Sequence, residues 1–250
     1  MFKGFYNLTS GMLTQQRNLN VVANNMVNVS TAGYKADQYT SSTFDEVLLS
    51  RVGNKDKTGA QEIGPASYIR ASSDVYTDFT QGVLERTGIT LDFAIEGDGF
   101  FAVQTDGGET AYTRMGSFSL DEEGYLCLPG QGRVLDNNGQ TIRLNTDKIR
   151  GDEHGNIYST AGQLLGRLGV YTFQDNGQLE RNNQGLFTGA QGTAVANPTV
   201  HWGYLERSNV EMVDQMTEMM TAQRALQSAA SVAKMYDQVM TKATTDIGRL

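Results

Sequence analysis

The chain has 250 residues, 39% hydrophobic and 19% charged, with a formal net charge of −8. That balance suits one large globular domain or two modest ones, and the acidity argues against a nucleic-acid partner, because phosphate binding needs a basic footprint. A lone cysteine, Cys127, excludes an intramolecular disulfide, and no run approaches the roughly 18 apolar residues of a membrane span.

Composition divides the chain. Of 28 glycines, 24 lie between Lys35 and Gly203, as do all three prolines, whereas nine of the ten methionines lie outside that stretch. Glycine and proline punctuate turns and methionine fills helical interfaces, so helical ends flanking a turn-rich middle are expected. After Lys3 the polar residues Asn7, Thr9, Ser10 and Gln15 leave no apolar core for a secretory leader. By itself this suggests a cytoplasmic protein, unless export takes another route.

Residues 5–27 read as a helix. Leu8, Met12, Gln15, Leu19, Val22 and Met26 alternate steps of four and three, a seam in which only Gln15 is polar. Gly11 inside it costs about 1 kcal/mol against alanine and hints at close approach by another backbone. Asn24, Asn25 and Asn28 end the helix, with Thr31-Ala32-Gly33 as its stop. Residues 35–75 read as connecting material, in which Phe44–Leu49 suits a helical turn and Gly53–Gly64 a polar loop.

From residue 76 the apolar period moves towards two. Strands are expected at 91–96, 99–105, 111–119, 125–128, 133–136, 157–158, 164–174 and 200–206, giving an antiparallel β domain over 76–204. A short pattern recurs in Asp121–Leu126, Asp152–Ile157 and the contracted Asp175–Leu179, each read as a tight turn followed by a strand. Asp106-Gly107-Gly108 and Asn138-Gly139 are further hairpin candidates. Gly97-Asp98-Gly99-Phe100-Phe101 lacks the third glycine and the following helix of a phosphate loop, so a hairpin turn between two buried strands, with Phe100 or Phe101 in the core, explains it better.

Residues 209–247 contain neither glycine nor proline, and Ser208 with Glu211 forms a candidate capping box before them. Met212, Met216, Met219, Gln223, Leu226, Ala230, Ala233, Asp237, Met240, Thr244 and Ile247 form a heptad seam, with Gly248 as the stop. At 1.5 Å per residue this helix spans about 58 Å, too long for its own chain to bury. The fold class expected is therefore α+β. Long terminal helices, within 1–34 and 205–250, pair as a coiled coil, with a central antiparallel β domain between them in the chain.

Chemistry is sparse. His154 and His201 are far apart and without a nearby cysteine, so no metal pattern exists, and no cofactor is expected. Asp121, Glu122 and Glu123 suit a solvated turn, and Cys127 a small apolar strand residue. The residues alone leave two other classes open. One is a secreted β-domain enzyme that acts on cell-wall glycan through a carboxylate pair about 5–10 Å apart. The other is a closed coiled-coil oligomer or adhesin.

Three blocks nevertheless resemble the flagellar rod and hook axial proteins. They are Ser10–Met12 with Ala23–Lys35, then Leu91–Phe101 with Tyr112–Phe118, then Gly203–Val210 with Met220–Ala225. Asn24, Asn25, Asn28, Gly97, Gly99, Phe100, Phe101, Ser208, Asn209, Gln223 and Arg224 carry the resemblance most directly. Val27 and Leu226-Gln227 depart from the usual pattern. Length and motifs are most similar to the proximal-rod type, with the distal-rod type second. The resemblance implies a non-enzymatic rod subunit that crosses the periplasm. It further implies export through the flagellar type III apparatus without a cleaved leader, and partners that are copies of itself and other rod and hook subunits. Its assembly interface would use Leu8, Met12, Leu19, Val22, Met26, Met212, Met216, Met219, Leu226 and Met240.

Overall fold

The computed structural model describes residues 2–43, 47–51, 61–66, 70–105, 107–182, 184–189 and 191–247. The elements begin with helix α1 (Phe2–Val27) and strands β1 (Asp37–Thr43), β2 (Val47–Arg51), β3 (Gln61–Ala66) and β4 (Arg70–Thr77). There follow β5 (Leu84–Arg86), β6 (Phe93–Glu96), β7 (Phe100–Gln104), β8 (Thr110–Thr113), β9 (Ser119–Leu120), β10 (Leu126–Leu128) and β11 (Gly132–Val134). The rest are β12 (Ile149–Gly151), β13 (Asn156–Ser159), β14 (Leu164–Arg167), β15 (Val170–Thr172), β16 (Glu180–Arg181), β17 (Phe187–Thr188), β18 (Thr193–Ala194), β19 (Thr199–Trp202), β20 (Tyr204–Glu206) and helix α2 (Met212–Ile247). The fold is α+β.

Two compact units share this chain. The first holds residues 1–26, 37–76 and 212–250; the second holds 27–36 and 77–211. The chain therefore passes from one unit to the other after residues 26, 36, 76 and 211.

In the helical unit α1 and α2 run in opposite directions. Asn18 Nδ2 donates to Glu218 Oε1 at 3.3 Å, and Asn25 Nδ2 donates to Gln215 Oε1 at 3.1 Å. Near the start of α1, a Cβ placed on Gly4 would lie 2.8 Å from the Tyr236 hydroxyl, whereas one placed on Gly11 meets nothing within 4 Å. The backbone approach expected at Gly11 is therefore not found, and at Gly4 the neighbour is a side chain, the Tyr236 ring.

All six α1 seam positions are half-buried or buried, with Val22 at 2% exposure. On α2 the covered positions are 212, 215, 219, 222, 226, 229, 233, 240 and 243. Five of the eleven expected positions hold, at 212, 219, 226, 233 and 240, and four are displaced by one residue, so that Gln215 and Ala222 face inward, while Asp237 is exposed. Met216 and Gln223 are exposed. Two ladders of threes and fours can share every seventh residue, and Ala222, 2% exposed, fits where a larger side chain would not.

The connecting segment of this unit is strand rather than helical turn and loop. β1 pairs β4, and β2 pairs β3 antiparallel from Val47↔Ala66 to Arg51↔Gln61. The expected helical turn is therefore replaced by β2 at Val47–Leu49, and Gln61–Gly64 belongs to β3. Phe44–Glu46 and 53–60 lie outside the described residues, as do Asp106 and the Gly248 stop.

The β unit is built on β7. It pairs β8, β11 and β15, all antiparallel, within the main sheet β16-β17-β8-β7-β11-β10-β9. Its residues Phe100, Phe101, Ala102 and Val103 are all buried, so β7 is covered on both faces, which a continuous apolar run dictates. Alternation sends Phe101 and Val103 into the larger core with Phe93, Leu126 and Leu168, and Phe100 with Ala102 into a second core with Tyr112 and Phe187. The expected strand at 111–119 divides into β8 and β9. Two of the three repeated turns share one device, whereas the Asp175 side chain accepts only the Gly177 amide and heads a short 3-10 turn, Asn176–Gln178. Asp121 Oδ1 accepts the Glu123 and Tyr125 amides, and Asp152 Oδ1 accepts those of His154 and Asn156. Asp136 and Asn182 form the same loop, with Gly139 and Gly185 at positive φ.

Candidate functional site: a buried clasp where the motifs meet

The polypeptide leaving α1 turns at once. Asn28 O accepts the Thr31 amide and Asn28 Oδ1 the Thr31 hydroxyl. Gly33 then takes φ +68°, and a Cβ there would lie 2.4 Å from the backbone of Arg114 and Met115. Only glycine permits backbone to rest on backbone so closely. The Gly33 amide donates to Glu206 O at 2.7 Å, and the Asp78 amide donates to Ala36 O at 2.8 Å.

Glu206, at the end of β20, is 1% exposed. Its Oε1 accepts Lys35 Nζ at 2.6 Å and the Gly82 amide at 2.9 Å; its Oε2 accepts Arg114 NH1 at 3.3 Å. Lys35, also 1% exposed, gives a second hydrogen bond to Thr80 O at 2.7 Å. Arg114 NH2 reaches Gly97 O at 2.7 Å, and its guanidinium sits 5.2 Å above the Phe100 ring. Burial pushes the Lys35 ammonium and the Arg114 guanidinium below their ordinary values, and the Glu206 carboxylate opposes that shift in both. Two buried cations therefore depend on one buried carboxylate, an arrangement in which losing a partner costs about 3–5 kcal/mol.

Asn209 completes the clasp. Its Oδ1 accepts the Ala36 amide at 2.7 Å, while Nδ2 donates to Asp78 O at 2.9 Å and Thr80 O at 3.2 Å. Arg181 NH2 donates to Lys35 O at 2.6 Å and stacks 4.5 Å from the Tyr34 ring. Residues 33–36, 78–82 and 206–209 are thus tied side by side, at the places where the chain enters or leaves the β unit.

This clasp explains why α2 starts at Met212 and not at 209. The Asn209 side chain is committed to two other segments, 33–36 and 78–82, and Ser208 Oγ accepts the nearby Val210 amide at 3.2 Å in place of capping a helix with Glu211. In the helical unit Asn25 plays a matching part. It is 2% exposed, and its side chain both accepts the Asp37 amide and donates to Asp37 O, tying α1 to β1.

Other expected residues take plainer places. Asn24, Gln223 and Arg224 are exposed. Gly97 and Gly99 lie at φ +86° and +142°, and Phe100 and Phe101 are buried on opposite faces of β7; the turn is not the expected hairpin, because β6 pairs β19 while β7 pairs β8, β11 and β15. Leu8, Met12, Leu19, Met26, Met212, Met219, Leu226 and Met240 are half-buried. Asp121 and Glu123 are both held by Arg133, at 2.8 and 2.7 Å, and among the described residues no group of three or more His, Cys, Asp or Glu could hold a metal ion. His201 Nε2 lies 2.6 Å from Glu96 Oε2 across the β19–β6 pair. Cys127 Sγ lies 3.2 Å from Ser119 Oγ. Lys35, Arg114 and Glu206 carried no assigned role in the sequence reading. A signal existed, since each is a charge set within an otherwise strand-like or turn-like motif.

The three blocks that converge here are also the parts that match known families. Residues 5–35 match the flagella basal body rod protein family, residues 94–166 the flagellar hook protein FlgE/F/G D1 domain, and residues 202–246 the flagellar basal body rod FlgEFG protein C-terminal family. The flagellar basal-body rod protein FlgG of Bacillus subtilis is 33% identical over 96% of this chain and 97% of its own length. The chain belongs to the flagellar basal-body rod protein family. FlgF of Caulobacter vibrioides is likewise 33% identical, over 96% of this chain and 95% of its own. The hook-basal body complex protein FlhO of Bacillus subtilis is 32% identical over the whole of both chains. Membership makes the chain a structural subunit of the flagellar basal body and not an enzyme. No helix among the described residues is long and apolar enough to cross a membrane.

Proposed function

We propose that this rod-family subunit works by polymerising through its helical unit. One observation carries the reading: α2 bears apolar side chains on two sides, and its own chain covers only one. The covered side includes Met212, Met219, Ala222, Leu226 and Met240. The other presents Val213, Met216, Met220, Met235 and Val239 at 47–68% exposure, while α1 leaves Phe5, Tyr6 and Leu13 about half exposed or more. A helix apolar on more than one side needs more than one neighbour. The three-and-four spacing of the covered positions suits coiled-coil pairing of α1 with α2, and the uncovered side suits the same helices of adjacent copies and of other rod and hook subunits. In this reading the helices form the inner layer of the rod, and the assembly transmits torque across the periplasmic space. Export is through the type III apparatus, and the proximal-rod position is preferred.

The exchange of Leu19 and Leu226 for aspartate tests this. Both are half-buried seam residues, so L19D/L226D should abolish rod incorporation seen by electron microscopy. The β unit, reported by the single tryptophan Trp202, should melt as in the parent. Normal rods from the double variant would refute the proposal.

A further inference from the structure

The buried charges of the clasp are not equivalent in their dependence on one another. Lys35 faces two acceptors, Glu206 Oε1 and Thr80 O, with the Arg114 cation beside it and Asp78 as the next nearest carboxylate. Without Glu206 it would keep a single carbonyl partner in a site of 1% exposure, next to a like charge. An ammonium so placed is expelled rather than kept. Glu206 is better provided. Without Lys35 it retains the Gly82 amide and Arg114, and Arg114 in turn retains Gly97 O and the nearby Asp98. The dependence therefore runs one way, from the N-terminal segment to the end of β20, across 171 residues of chain.

We propose that Glu206 is a folding interlock, such that the segment Val27–Ala36 seats on the β unit only after β20 has delivered the Glu206 carboxylate. A chain that emerges N-terminus first keeps this segment unseated until nearly the whole β unit is complete. Gly33 and Ala36 add the geometric half of the device, because their amides donate to Glu206 O and Asn209 Oδ1, both from the same late stretch. The carboxylate partner of Lys35 and the acceptors of the Gly33 and Ala36 amides thus lie within four residues of each other at the C-terminal edge of the unit, while Asp78, Thr80 and Arg181 add contacts from earlier in the chain. The interlock concerns a single chain and stands whether or not the helices polymerise, so its test does not touch the assembly reading.

Hydrogen exchange followed by mass spectrometry on the purified full chain decides it, with peptides covering residues 28–36 read against those covering β6 to β8. Glu206→Gln should speed exchange of the 33–36 amides by about a hundredfold, the size expected when one partner of a buried pair is lost, and leave Phe93–Thr113 protected. Lys35→Met should leave the Gly82 amide slow. The combined variant K35M/E206Q, which no longer buries an unpaired ammonium, should return the 33–36 amides to within about tenfold of the parent rate. Unchanged exchange in Glu206→Gln overturns the interlock. So does equal loss of protection in β6 to β8, which would make Glu206 a general core element. Failure of K35M/E206Q to recover would show that the charge of Lys35 is not what couples the segments.

Discussion

Gly33 offers a sharp quantitative test, because the structure supplies its own control. Gly33 lies at φ +68° with backbone atoms of Arg114 and Met115 only 2.4 Å from where a Cβ would sit; Gly88 lies at φ +72° with nothing within 4 Å. Alanine at either site pays for the left-handed conformation, about 1–2 kcal/mol. At Gly33 it must also push the segment away from a backbone that cannot yield. That forfeits the Gly33 amide bond to Glu206 O, about 1 kcal/mol, and disturbs the buried Lys35–Glu206 pair, whose disruption reaches about 3 kcal/mol. The expected excess of Gly33→Ala over Gly88→Ala is therefore about 2–4 kcal/mol. Trp202 lies in the β unit, donates its indole N–H to Thr90 O and is the only tryptophan, so its fluorescence reports unfolding of that unit. At about 3 °C per kcal/mol for a unit of this size, Gly33→Ala should melt about 6–12 °C below Gly88→Ala. Equal melting temperatures would mean that the segment does not rest on Arg114 as described, and the clasp would lose its backbone half.

Ala222→Leu and Ala230→Leu should separate the covered face of α2 from the one its heptad pattern suggests. Ala222 is 2% exposed and Ala230 exposed, so the first should cost about 1–3 kcal/mol by overpacking in helical-unit stability followed by circular dichroism. The second should be nearly neutral, and the reverse order would restore the original seam. At low pH the Asp152 turn should loosen. Partial burial raises its pKa, but the Asn156 side chain and amide and the His154 amide outweigh that and hold it below the ordinary 3.8. Its stabilisation is complete above 3.8 and lost as pH falls further, through the folded-state value. Asp152→Asn should therefore melt with less pH dependence than the parent between about pH 4 and 2. An unchanged slope would argue against the turn bonds.

Much of the β unit was legible because its signals are local. In the Asp121 and Asp152 turns the carboxylate meets amides two and four residues on, so spacing alone reveals them. The buried strand Phe100–Val103 likewise announces itself as an apolar run between a glycine turn and a polar end. The connecting segment was misread for the opposite reason. Val47–Arg51 owes its strand conformation to pairing with Gln61–Ala66, and the short stretch Gln61–Gly64 carries no periodic signal of its own for that ladder.

Composition and periodicity by themselves determined that helices occupy the two ends and that antiparallel strands fill the middle. These are properties of neighbouring residues, since a helical stripe repeats every 3.6 positions and a strand alternates every second one. The tertiary structure alone decided which side of α2 is covered, why α2 begins three residues later than its capping pattern suggests, and that Lys35, Arg114 and Glu206 share one buried site. Each of those outcomes joins residues about 90 to 190 positions apart. Burial makes such a meeting decisive, because a charge removed from water must find its partner wherever in the chain that partner lies.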